Sequence, residues 1–70
     1  MVEVIRQRSS FIAETRYDKQ TETLEIEFTD GATFRYDGVP RSTYTAFITS
    51  PSRGRAFHTL IKPRFEGEQV

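Results

Sequence analysis

Seventy residues carry ten acidic and ten basic side chains, one histidine and no cysteine, for a formal net charge of zero. A chain of this size buries only about 60% of the surface its unfolded form exposes, and without cysteine it has no disulfide to add to a thin core. The same counts exclude the four-ligand zinc frameworks and imply no metal or cofactor. Three Tyr and six Phe without a Trp suit a compact aromatic core better than a deep catalytic pocket.

Met1-Val2-Glu3-Val4-Ile5-Arg6 carries charge where a secretory signal needs its apolar core, and no apolar run approaches the roughly 20 residues of a membrane-spanning helix. The expectation is a cytoplasmic protein with no membrane association. Residues 9–65 read as a single domain, with 1–8 as an N-terminal arm and 66–70 as a C-terminal tail. The neutral total hides an asymmetry. Residues 1–30 hold Arg6, Arg8, Arg16 and Lys19 against seven acidic groups, a balance of −3, and residues 31–70 reverse it to +3. Such asymmetry hints at a polyanionic partner, although folding can interleave the two halves in space.

In chain order, Ser10 to Tyr17 reads as a strand with Phe11, Ala13, Thr15 and Tyr17 on one face and Ile12 awkwardly on the other. Residues 18–22 are polar and form a hairpin loop. Leu24, Ile26 and Phe28 alternate cleanly with Glu25 and Glu27, the pattern of a strand wet on one side only. Thr29-Asp30-Gly31 then supplies a turn before Ala32-Thr33-Phe34-Arg35-Tyr36. A two-residue turn would put Phe34 opposite Glu27 and scramble the faces. A three-residue loop with Gly31 in a bulge pairs Phe28 with Ala32, Ile26 with Phe34 and Leu24 with Tyr36. It leaves Arg35 diagonal to Glu25 and Glu27 on the other face, an exposed charge ladder rather than a catalytic carboxylate pair.

Tyr44, Phe47 and Ile48 lie at helical spacing, so a helix is expected from about Pro40 to Thr49, ended by Ser50-Pro51. Ser52 can cap a second short helix with a stripe of Phe57, Leu60 and Ile61, stopped near Lys62 by Pro63. The fold class is α+β: a three-stranded antiparallel meander with two short C-terminal helices on its apolar face.

These residues resemble the KTSC domain family, named for its occurrence at the C-terminus of some lysyl-tRNA synthetases and also found as free-standing bacterial proteins. The likeness runs from Ser9-Ser10 and Ile12 through Tyr17-Asp18, Gly31, Phe34-Arg35-Tyr36, Val39-Pro40, Tyr44 and Phe47 to Ser52, Gly54, Phe57-His58, Ile61-Lys62 and Phe65. Phe34 stands where the family often has Tyr, which removes a hydroxyl but keeps the ring. The resemblance implies no enzymatic activity, and a role in RNA binding that comes from the synthetase context.

Candidate binding residues fall into two groups. Phe34 and Tyr36 could stack bases on a sheet face, but the register gives them to the core, with Tyr36 able to expose its hydroxyl at a strand end. Ser52, Arg53, Gly54 and Arg55 offer a helix start, a permissive glycine and planar donors for an anion, against the plainer reading of a capped loop with solvated arginines. His58 and Lys62 follow on the same side of that helix as Arg55. The functional expectation is a non-catalytic module binding RNA, tRNA included, through Arg35, Arg53, Arg55, Lys62 and Arg64, with His58 or Tyr36 as a stacking contact. The alternative is a protein-interaction module or small homo-oligomer using the edges and outer face of the meander. No catalytic residue is assigned, because one histidine supplies no Ser-His-Asp or Cys-His arrangement.

Overall fold

The strand β3 (Thr23–Phe28) is the centre of the fold, because its alternation buries Leu24, Ile26 and Phe28 and leaves Thr23, Glu25 and Glu27 partly exposed. In the computed structural model, which describes residues 2–7 and 9–70, β3 pairs with β4 (Thr33–Tyr36) in the expected register, Leu24 opposite Tyr36 and Ile26 opposite Phe34. Gly31 takes φ +95°, a value that favours glycine, its N–H donates to Phe28 O at 3.0 Å, and the Phe28 N–H donates to Ala32 O at 2.8 Å. The same register sets Glu25 directly across from Arg35 rather than diagonal to it.

On its other side β3 pairs with β2 (Ile12–Asp18), where the expected face assignment fails at one end. Ile12, Thr15 and Tyr17 are buried, whereas Phe11 is 38% exposed. The register shifts between Ile12 and Glu14, so a β-bulge places an extra residue in β2 and exchanges its faces. Ile12 then faces Phe28, Thr15 faces Ile26, and burial of the whole Ile12 side chain prevails over strict alternation.

The sheet has five strands in the order β1-β2-β3-β4-β5, all antiparallel, and not the expected three. β1 (Val2–Arg6) lies against β2, and β5 (Gly67–Gln69) lies against β4, so segments expected as arm and tail form the sheet edges. Both were hidden from burial patterning because β5 is exposed throughout and only Ile5 of β1 is partly buried. Met1 and Arg8, two residues of the expected arm, lie outside the described residues.

One face of the sheet carries the helices. α1 (Arg41–Ile48) starts after Pro40, whose carbonyl accepts from the Tyr44 N–H at 3.0 Å, and it buries Tyr44 and Phe47. Ser52 caps α2 (Arg53–Ala56), its Oγ accepting from the Arg55 N–H at 3.3 Å. The chain then widens into a π-helical turn, Phe57–Ile61, in which the Lys62 N–H reaches Phe57 O at 2.9 Å. Where the ladder changes pitch, the Thr59 hydroxyl donates to Arg55 O at 3.1 Å, with Ala56 O at 3.4 Å. Phe47, Ile12, Leu24, Ile26, Ile61 and Val39 are fully buried between the layers, each large side chain worth about 1.5–3 kcal/mol. Among the described residues no helix is long and apolar enough to cross a membrane.

Candidate nucleic-acid interface

The uncovered face of the sheet is an ion network. Cross-strand register aligns Val4, Arg16, Glu25, Arg35 and Glu68 in one row across the five strands. Arg16 pairs with Glu14, with Glu25 at 3.3 Å and with Glu27 at 3.6 Å, so the counter-charge expected from Arg35 comes from β2 instead. Partial burial pulls the Arg16 guanidinium down, but its hydrogen bonds to Glu14 and Glu25 outweigh that and hold it above its ordinary value. Arg35 is engaged with Glu68 at 3.1 Å and Asp37 at 3.7 Å. It therefore sits in an acidic setting on the face away from the helices, apart from Arg53, Arg55, Lys62 and Arg64.

Tyr36 is only 4% exposed, its ring edge-on to Phe57 with centroids 5.9 Å apart and covered by Gly67 of β5. It offers no stacking surface. Phe34, half-buried, packs against the core and meets Phe28 edge-on at 5.9 Å.

The Ser52-Arg53-Gly54-Arg55 segment is largely committed to the fold. Ser52 Oγ serves as the helix cap, and Arg53 donates from Nε to Gln7 Oε1 at 2.9 Å and from Nη1 to Ser50 O at 2.6 Å. Gln7 in turn donates from Nε2 to the buried Thr15 Oγ1 at 2.9 Å, so Arg53 ties the helical layer to the end of β1. Gly54 lies beneath Phe11, whose Cδ2 would be 3.8 Å from a Cβ at that position.

Arg55, His58 and Lys62 are exposed on one side of the α2 and π-helical segment, the side opposite the buried Ala56, Phe57 and Ile61. Arg64 is exposed just beyond Pro63. Among the described residues none of Arg55, Lys62 and Arg64 enters an ion pair. The addition that sequence reasoning missed is Phe11. Its ring stacks on His58 with centroids 5.7 Å apart and an interplanar angle of 19°, and is backed by Phe28 at 5.0 Å and Phe57 at 5.9 Å. Strict alternation puts Phe11 on the face of Thr15 and Tyr17, and the apolar Ile12 left on the opposite face is the signal against that assignment. Phe11 also borders a shallow apolar depression with Phe28, Ala32 and Phe34, rimmed by Thr29 and Asp30.

At the other end of the helical layer Tyr17 and Tyr44 stack with centroids 4.0 Å apart. The Tyr17 hydroxyl donates to Val39 O at 2.7 Å, and the Tyr44 hydroxyl donates to Glu3 Oε1 at 2.5 Å. Burial pushes the Tyr44 phenol well above its ordinary value, and the hydrogen bond to the Glu3 carboxylate raises it further. Among the described residues no cluster of His, Cys, Asp or Glu could hold a metal ion.

An antiparallel sheet with one helical layer, and a stacked Phe–His pair beside free basic side chains, define a small α+β domain with a candidate binding surface on its helical side. The chain belongs to the KTSC domain family, whose model matches residues 8–65. It is 37% identical over 67 residues to a lysine–tRNA ligase of Trichormus variabilis, a match covering 96% of this chain and 12% of the ligase. It thus spans about an eighth of the length of the ligases it matches, a small domain's worth. It is also 37% identical over 57 residues to a protein of Stutzerimonas stutzeri, covering 81% of this chain and 80% of that one. The KTSC domain protein of Yersinia pestis has a crystal structure that superposes with a TM-score of 0.93 at 31% identity, covering 100% of this chain and 99% of that one.

Proposed function

We propose that this domain is a non-catalytic RNA-binding module, with tRNA as a natural ligand, that acts through the side of the molecule bearing Phe11, Arg55, His58, Lys62 and Arg64. The observation that carries the reading is the stacked pair of exposed rings, Phe11 on His58, on a helical segment whose Arg55 and Lys62 have no acidic partner among the described residues. Aromatic faces accept unstacked bases at about 1–3 kcal/mol each, and unpaired Arg and Lys side chains take the phosphates between them. Kinship with a segment of lysine–tRNA ligases supports RNA as the polyanion. The module adds affinity to that of any protein that carries it.

Three phosphate contacts, from Arg55, Lys62 and Arg64, give a predicted salt dependence of log affinity on log salt with slope about −2 to −3. Titrating fluorescent tRNA and a short single-stranded RNA with the domain, at about 50 and about 200 mM salt, measures that slope. Absence of binding at the lower salt, or binding indifferent to salt, contradicts the proposal.

A further inference from the structure

The edge strand β1 carries only some of the devices that usually keep an edge solitary, a short length and the charged Glu3 and Arg6. It has no lysine, no proline and no bulge, and it exposes Val2 at 50% and Val4 at 55%. Of its two charged groups, Arg6 ends the strand and Glu3 adjoins Val4. Glu3 points toward the helical side, where the Tyr44 hydroxyl holds its carboxylate, and Arg6 is aligned with Glu14 of the neighbouring strand.

We infer that this edge pairs with a second copy of the chain, β1 antiparallel to β1 about a two-fold axis through Val4, joining two sheets into one of ten strands. Centring on Val4 is the one symmetric register that pairs every residue of the strand. Val4 meets Val4, Val2 meets Arg6, and Glu3 meets Ile5, so no like charges face each other. Charge complementarity extends one strand further. Val2 is itself opposite Asp18, so in the dimer the row runs Glu14, Arg6, then Val2 and Asp18 of the second copy, with Arg6 between acids of both molecules. The apolar pair on the axis is flanked on each side by Arg16, already neutralised by Glu14 and Glu25. The opposite edge fits this role less well, because β5 is three residues long and its Glu68 is taken by Arg35.

A five-residue strand contact is small, so the association is weak and reversible. Sedimentation velocity on the full chain, from about 5 to about 500 µM, is expected to show a monomer–dimer equilibrium. Val4→Lys sets two cations on the axis at an exposed position. It should weaken dimerisation at least about tenfold while leaving the circular dichroism spectrum of the folded chain unchanged. Val70→Lys, at the other edge, should leave dimerisation as it is. Opposed cysteines of an antiparallel pair lie within disulfide reach, so Val4→Cys should cross-link with itself on mild oxidation. A wild-type chain that stays monomeric across the range, or a dimer that survives Val4→Lys and dissolves with Val70→Lys, overturns the inference. RNA binding tested on the Val4→Lys monomer reports separately on the basic helical side.

Discussion

At the scale of single residues, two glycines with opposite surroundings predict opposite outcomes. Gly54 is helical, has no positive φ, and would bring a Cβ no closer than 3.8 Å to Phe11, an ordinary contact. Gly54→Ala should therefore stabilise the domain by about 0.5–1 kcal/mol, read as a rise of several degrees in melting temperature. At Gly67 an added Cβ would lie 2.6 Å from Cε2 of the buried Tyr36 ring. Gly67→Ala should cost about 1–3 kcal/mol and release β5, seen as faster amide exchange at Val70, whose N–H donates to Thr33 O at 2.9 Å. The tyrosines give a pH dependence. Burial is the first cause raising Tyr17, Tyr36 and Tyr44 above the ordinary value of 10.0. The folded protein keeps these protons where the unfolded chain releases them, so their stabilisation is complete below about pH 10 and is lost as pH climbs above it. Thermal melts between about pH 8 and about pH 11 should show that decline, and Tyr44→Phe should flatten it; stability constant across the range contradicts the assignment.

At the scale of elements, what the sequence made legible follows from how one-sided each segment is. The β3–β4 register is legible because Leu24, Ile26, Phe28 and Tyr36 are buried and a three-residue loop brings them to a common face where a two-residue turn does not. The helices were found from stripes that bury Tyr44, Phe47, Phe57 and Ile61. β1 and β5 were not legible, because their strand geometry comes from hydrogen bonds to neighbours and little from a buried stripe. The π-helical turn leaves no trace in apolar spacing, since Phe57 and Ile61 would share a face in an ordinary α-helix as well. β1 is secured instead by a polar tie, Thr15 accepting from Gln7 at 2.9 Å and donating to Ile5 O at 3.4 Å. Thr15→Val keeps the shape but leaves the buried Gln7 amide with no acceptor. It should cost about 1–3 kcal/mol in chemical denaturation despite the added apolar group, and a neutral or stabilising result would show that the tie holds nothing.

At the scale of the whole molecule, folding divides the basic residues of the later half between two sides. The later half of the chain carries the excess of arginine and lysine, yet Arg35 folds onto the acidic outer face and Arg53 turns inward to Gln7 and Ser50. What remains on the helical side is smaller, Arg55, Lys62 and Arg64, but it adjoins the Phe11–His58 pair that a bulge in β2 pushes outward. A neutral domain thus has a network of paired charges on one side and, on the other, cations with no acidic partner among the described residues, beside exposed rings. The proposed binding side is the second one. Its most direct test is a ¹⁵N amide map of the domain titrated with a short single-stranded RNA. Shifts should cluster at Phe11, Gly54, Arg55, His58 and Lys62 and leave Glu25 and Arg35 still; shifts centred on Glu25 and Arg35, or none at saturating RNA, would exclude this side as the binding side.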